Sequence, residues 1–346
     1  MNRRHFMGVL GASTAALALG GRFGLAAEPG PWRQVKPIPQ GANEVVGAAV
    51  NGKFLVYGGL SDFVAQGYFF MYDPLTDEWT SLPSPPEPVH HAAAVGIGSR
   101  FYVFGGFRKP DDGTRYWMPV NSTWAFDLSS QRWERLAAML TARGALTAAV
   151  AGNTVYVIGG AAVPVWAKEK GLTFQFGGEQ SSANEVYDAG EDKWTRANPM
   201  LTGRNHMNCG LINGKIYVVG GRVGSAFVGA STNISANEAY DVAKDAWEPK
   251  ALLPTPRSGH GVAVLRGRLH AIGGEGVQGS FLGVFRAHEV YDPTANTWAL
   301  YPPMLTARHG YAIATIGDSI YTATGMNTPG TGGGPATGVQ VTEVFG

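Results

Sequence analysis

The chain has 346 residues, 45% hydrophobic and 11% aromatic, which is ample material for a large core. A formal net charge of +1, from 27 basic and 26 acidic side chains, excludes a protein that holds polyanions by bulk charge, and a single cysteine excludes a disulfide-stapled scaffold. With 49 glycines and 21 prolines the chain is no helical bundle; it reads as many short strands joined by turns.

The N-terminus reads as an export signal: Arg3-Arg4 in a basic start, an apolar stretch from Met7 to Leu19, and small residues at Leu25-Ala26-Ala27 before Glu28-Pro29-Gly30-Pro31. The stretch is too short and too broken by glycine to span a membrane as a helix. Asn2 to Met7 is similar to the twin-arginine pattern, in which two arginines precede a phenylalanine by one position; Asn2, Met7 and Gly8 depart from its usual flanks. The expectation is a leader at 1–27, one domain at 28–346, and a periplasmic or secreted protein. Without Arg3, Arg4 and Arg22 the remainder carries 24 basic and 26 acidic side chains, so nucleic acid is not an expected partner.

From residue 32 onward two fixed spacings recur. Trp32, Ala42 and Gly58 are separated by ten and sixteen residues, and so are Trp79–Val89–Gly105, Trp133–Arg143–Gly159, Trp194–Arg204–Gly220, Trp247–Arg257–Gly273 and Trp298–Arg308–Thr324. An aromatic–Asp pair precedes each later Trp by seven: Tyr72-Asp73, Phe126-Asp127, Tyr187-Asp188, Tyr240-Asp241 and Tyr291-Asp292. Only the segment between the glycine pair and this aromatic varies, with offsets of 13, 20, 27, 19, 17 and 20 residues. Six copies of a unit near fifty residues imply modules that bury their apolar faces against one another.

The unit resembles the kelch repeat, most fully at Pro256-Arg257-Ser258-Gly259-His260, Leu269-His270-Ala271-Ile272-Gly273-Gly274, Glu289-Val290-Tyr291-Asp292-Pro293 and Trp298. The resemblance covers nearly the whole chain after residue 31 and implies an all-β, six-bladed β-propeller. Strand A of each blade holds small residues, as in His91–Val95, Leu146–Val150 and Tyr311–Thr315, and belongs nearest the axis. Turns such as Asn51-Gly52 and Asn213-Gly214 lead to an apolar strand B, for example Phe101–Phe104 or Ile216–Val219. Strand C ends in the aromatic–Asp pair and strand D carries the Trp. The last copy stops at Glu343-Val344-Phe345-Gly346 without a strand D, so residues 31–38 are expected to supply it and close the ring.

In such a blade the B–C loops and D–A connections share one face, which takes all the length variation and is the expected functional face. At the start of strand A four guanidinium groups, Arg143, Arg204, Arg257 and Arg308, suit carboxylate, sulfate or phosphate; alternatively each bonds a neighbouring loop backbone as part of the unit. Just after this column, Glu44, His91, His206 and His309 offer acid–base groups or metal ligands, or serve as satisfied structural residues. No HxH or HExxH spacing occurs, so neither a metal nor another cofactor is expected. Trp117 and Trp166, in the long B–C loops of the second and third blades, suit a sugar ring or a partner protein, or else plug their own loops. Trp124 reads as packing.

The primary expectation is an exported module that binds a small anionic ligand, a glycan or a partner protein on this face. The six-blade count, exported state and length are similar to the bacterial N-acetylneuraminate epimerase (sialic acid mutarotase) group, a resemblance that implies acid–base chemistry on a carboxylated sugar without supplying matched catalytic residues. A copper oxidase similar to galactose oxidase fits less well: that family has seven blades and a cysteine joined to a copper-binding tyrosine, whereas Cys209 lies in small-residue strand A of the fourth blade and reads as packed.

Overall fold

In the computed structural model, which describes residues 31–61, 64–108, 117–162, 179–226, 231–278, 281–330 and 338–346, each unit forms one four-stranded antiparallel sheet. In the first blade strands A to D are Val46–Val50, Lys53–Tyr57, Phe69–Asp73 and Glu78–Ser81; the fourth runs Asn208–Ile212, Lys215–Val219, Asn237–Asp241 and Ala246–Pro249. The A strands of successive blades pack side by side around the axis, from Val46–Val50 through Gly261–Leu265 to Ala312–Ile316 and back. They begin one or two residues later than the small-residue pattern indicates, because the residue at positions such as His91 takes a left-handed φ of 54° that no strand accommodates.

The ring closes as expected. Arg33–Gln34 pairs antiparallel with the last strand C, Thr342–Phe345, in the register Arg33 to Val344 and Gln34 to Glu343. The N-terminal strand thus completes the C-terminal blade. The segment 1–27, where a leader is expected, lies outside the described residues.

Each recurring residue has a mechanical use between blades. The indole of every repeat Trp donates to a carbonyl four residues past the Trp of the preceding blade: Trp79 to Lys36, Trp133 to Pro83, Trp194 to Ala137, Trp247 to Asn198, Trp298 to Ala251, and Trp32 to Pro302 across the closure, all at 2.8–2.9 Å. The Asp of the aromatic–Asp pair caps its own turn, Asp188 accepting from the amides of Gly190 and Glu191. The second glycine of each pair donates to the next blade's strand-A entry, as Gly106 does to the Arg143 carbonyl at 2.9 Å. A Cβ on Gly105 would lie 2.5 Å from that same carbonyl, and φ there is 56°, so both approach and dihedral require glycine. Six apolar clusters fill the six blade interfaces; the one at the closure buries Trp32, Ile272, Met304, Ile320 and Phe345. Among the described residues there is no helix, and none long and apolar enough to cross a membrane.

Candidate functional site

The four arginines of the strand-A column do not face the mouth of the channel. Arg143, Arg204, Arg257 and Arg308 are all fully buried inside their own blades. Each guanidinium meets a buried glutamate on strand C: Arg143 with Glu185 at 3.1 Å, Arg204 with Glu238 at 2.9 Å, Arg308 with Glu343 at 3.1 Å, and Arg257 with Glu289. Further N–H groups go to backbone carbonyls, for example Arg204 to Gly220 and Val218 at 2.9 and 3.0 Å, and Arg308 also donates to Thr322 Oγ1 at 2.7 Å, while the Nε groups of Arg143, Arg257 and Arg308 meet no acceptor among the described residues. The expectation that this column binds an anion is therefore corrected: its charge is neutralised within the blade, since a guanidinium taken out of water is held only by a carboxylate and carbonyls that replace its hydration.

The next residues do converge. Glu44, His91, Ala145, His206, Gly259 and Gly310 occupy the same column with φ between 52° and 60°, and their backbones bond head to tail around the axis. His91 N–H donates to Glu44 O, Ala145 to His91, His206 to Ala145, Gly259 to His206, Gly310 to Gly259, and Val45 to Gly310, at 2.8–3.2 Å. This ring sits at the B–C face. Along the axis, residues in or beside the A strands, including Thr147, Asn208, Cys209 and Tyr311, line a cavity of about 180 Å³. Cys209 is packed as expected, its thiol pushed up to about 12 by burial.

Two residues that the sequence reading did not single out complete the cluster. The position after each glycine pair is apolar in Leu60, Phe107, Ala161 and Met326 but charged in Arg222 and Glu275, and that break in an otherwise apolar column was the available signal. Each bridges back to the column beside the ring, Arg222 to Asn205 and Glu275 to Ser258. Arg222 donates through Nη1 to Glu275 Oε1 at 2.7 Å and to Ser258 Oγ at 3.1 Å, and through Nη2 to His206 Nε2 at 2.8 Å and to the Ala226 carbonyl. Glu275 Oε2 accepts the Gly330 amide at 2.8 Å. His309 Nε2 stands 3.5 Å from Glu275 and 3.5 Å from Glu44, and His91 Nε2 is 3.3 Å from the other oxygen of Glu44. Among its described residues the third blade contributes Gly144, Ala145 and Ala161 here, and on that side Phe107, Ala226 and Trp117 form an apolar wall.

Charge in this enclosure is set by burial. Desolvation pushes Glu44 up, more than His309 and Arg222 pull it down. Burial pushes Glu275 up as well, but His309 and Arg222 outweigh it and hold it below the ordinary carboxylate range. Burial drives His91 and His206 well below the ordinary imidazole value, and His90 to about 3. The structure thus brings Glu44, His91, His206 and His309 together, with the half-buried Trp117 ring 5.1 Å from His91 and 4.6 Å from His90. Trp166 lies outside the described residues.

Donor atoms of Glu44, His91 and His206 lie within 4.8 Å of one another, a spacing a metal ion could bridge. The His206 lone pair, however, already accepts from Arg222, while Nδ1 lies 2.6 Å from Asn205 Oδ1. A metal there would have to displace a buried guanidinium. Trp124 packs as expected, its indole donating to Glu87 at 3.1 Å.

Comparison with known proteins agrees with this architecture. The family described as KLHDC2/KLHL20/DRC7 Kelch-repeats domain matches residues 28–175, and the Kelch motif family matches residues 203–251. Kelch-like protein terF of Aspergillus terreus is 25% identical over 329 residues, covering 91% of this chain and 67% of that protein. Kelch-like protein 34 of Homo sapiens is 28% identical over 258 residues and alpha-scruin of Limulus polyphemus 25% over 273; this chain covers 36% and 27% of them. It thus spans about two thirds of terF and far less of the other two. The solved structure titled "Structure of YjhT" superposes with a TM-score of 0.73 at 15% identity, covering 89% of this chain and 95% of that one, a likeness of fold. Two segments of the chain, 28–175 and 203–251, thus match kelch-repeat families, and its six repeats form one six-bladed β-propeller.

Proposed function

We propose that this propeller is an exported recognition module whose ligand or partner protein docks at the axial mouth on the B–C face. The observation that carries this reading is the convergence of the exceptions. Residues that recur in every blade are consumed by blade geometry, whereas Glu44, His91, His206, Arg222, Glu275 and His309 break their columns and meet at one end of the axis. Rigid scaffolds present their variable chemistry in this way. His91→Asn tests it, because Asn tolerates the left-handed backbone at that position. In a thermal-shift and titration screen of small polar molecules and candidate partner proteins, ligands of the wild type are expected to be lost in His91→Asn and retained in Leu75→Ser, on the opposite face. Equal binding by both variants would remove the mouth from the account. For export, Arg3→Lys with Arg4→Lys is expected to leave the chain unprocessed in the cytoplasm on fractionation; unchanged export sinks the twin-arginine route.

One observation favours a second reading, acid–base catalysis of the mutarotase type on a carboxylated sugar. Glu44 and Glu275 are displaced in opposite directions and share His309 at 3.5 Å, the arrangement in which one carboxyl holds a proton while the other accepts one. Exchange NMR on sialic acid anomers decides it: a rate above background that vanishes in Glu44→Gln supports catalysis, and a background rate in the wild type dismisses it.

A further inference from the structure

Among the described residues five arginines are buried, and each has a buried glutamate: Arg143 with Glu185, Arg204 with Glu238, Arg222 with Glu275, Arg257 with Glu289 and Arg308 with Glu343. Glu44 is the carboxylate left over. Its side chain is 12% exposed, and the described groups that meet it are the imidazoles of His91 and His309. One of these, His91, is driven toward its neutral form by burial, by its neighbours His90 and His206, and by Arg222. Beside His91 stands Trp117, at 5.1 Å between ring centroids. A carboxylate that no described guanidinium pairs with, an imidazole kept neutral by burial and a half-buried indole beside it are complementary to positive charge, not negative.

We infer that the mouth binds an organic ammonium group, seated between the Glu44 carboxylate, His91 and the face of Trp117. This rests on the reading of the mouth as a binding site and reverses the sign of the ligand that the arginine column suggests. The ammonium supplies the positive charge that Glu44 lacks, and its N–H or N–CH₃ groups meet the carboxylate and the indole face. His309 Nε2, 3.5 Å from both Glu44 and Glu275, is the described group with which an arriving ammonium contends for Glu44. Glu44 and His91 sit in left-handed backbone at positions where the fifth and sixth blades carry Gly259 and Gly310, a strained choice of side chain in line with a site held for use.

The test is titration of the full chain with n-butylammonium, tetramethylammonium, acetate and zinc chloride, followed by ligand-observed NMR. Alkylammonium binding is expected, weakened at least about tenfold in Glu44→Gln, partly kept in Glu44→Asp, and reduced in Trp117→Leu. If Glu44→Gln does not fold, the Asp and Leu variants decide. Ammonium binding that is unchanged in these variants, binding of acetate in place of the amines, or binding of zinc alone overturns the inference. Should a ligand other than an amine bind and be lost in His91→Asn, the mouth stands as a site and only its sign is refuted. Indifference of every ligand to every mouth variant refutes both.

Discussion

A buried guanidinium survives only beside an equally buried carboxylate, and four blades repeat that solution with arginine at the entry of strand A and glutamate on strand C. Removing one partner strands the other. Arg257→Ala is expected to destabilise the protein by about 3–5 kcal/mol, while Arg257→Met with Glu289→Leu recovers most of that loss. Urea unfolding of the single and double variants measures it, and a single variant as stable as the wild type would mean the pair is dispensable. The pairing was legible in the sequence although the single column was not. Blades with arginine at 143, 204, 257 and 308 carry glutamate at 185, 238, 289 and 343, whereas Ala42 and Val89 go with Phe70 and Trp124. Column by column the arginines look like a ligand ring; two columns read together show internal pairs. Arg222 and Glu275 were harder to see, because their column lies at the head of the segment whose length varies and where the repeat arithmetic stops.

At the scale of elements, the fixed spacings encode contacts between blades. The Trp donates to the carbonyl four residues past the previous Trp, and, except where that residue is Pro83 or Pro302, its amide donates to the turn residue two before the Trp, as Ala137 does to Asp192 and Asn198 to Asp245. Constant Trp-to-Trp geometry is therefore a condition for stacking, which is why the fold could be read from spacing alone. Closure depends on a two-residue element, Arg33–Gln34, and on Trp32, which is 7% exposed and packs on His288 and Phe345. Trp32→Ala is expected to cost roughly 3–5 kcal/mol through the emptied volume and the lost bond to Pro302. It is also expected to make the N-terminal strand sensitive to limited proteolysis well below the melting temperature. A variant that melts like the wild type and resists protease would show that the ring holds without its clasp.

The whole molecule folds around imidazoles kept neutral. Desolvation is the first cause at each: His90 and His288 fall to about 3, His270 to about 4, and His91, His206 and His260 well below the ordinary value. Three lie by the axial mouth or its ring, and His270 and His288 pack edge-on and tilted beside Phe345 at the closure. Because these folded values lie below that of a free imidazole, the unfolded chain takes up protons first as pH falls. Their contribution to stability is whole above about pH 6.5 and drains away toward pH 3–4, at about 1.4 kcal/mol per histidine for each pH unit. Carboxylates held low by partners, such as Glu275 and Asp292, lose their contribution only at lower pH, and Glu44, raised by burial, acts in the opposite sense. Between pH 6.5 and 5 the histidines dominate. The urea midpoint is expected to fall steeply across that interval, and His270→Phe, which removes a proton site next to Phe345 and Tyr301, is expected to flatten the fall. A midpoint level from pH 7 to 5 would show that the imidazoles gain charge without unfolding the ring, and that water reaches interfaces the packing closes.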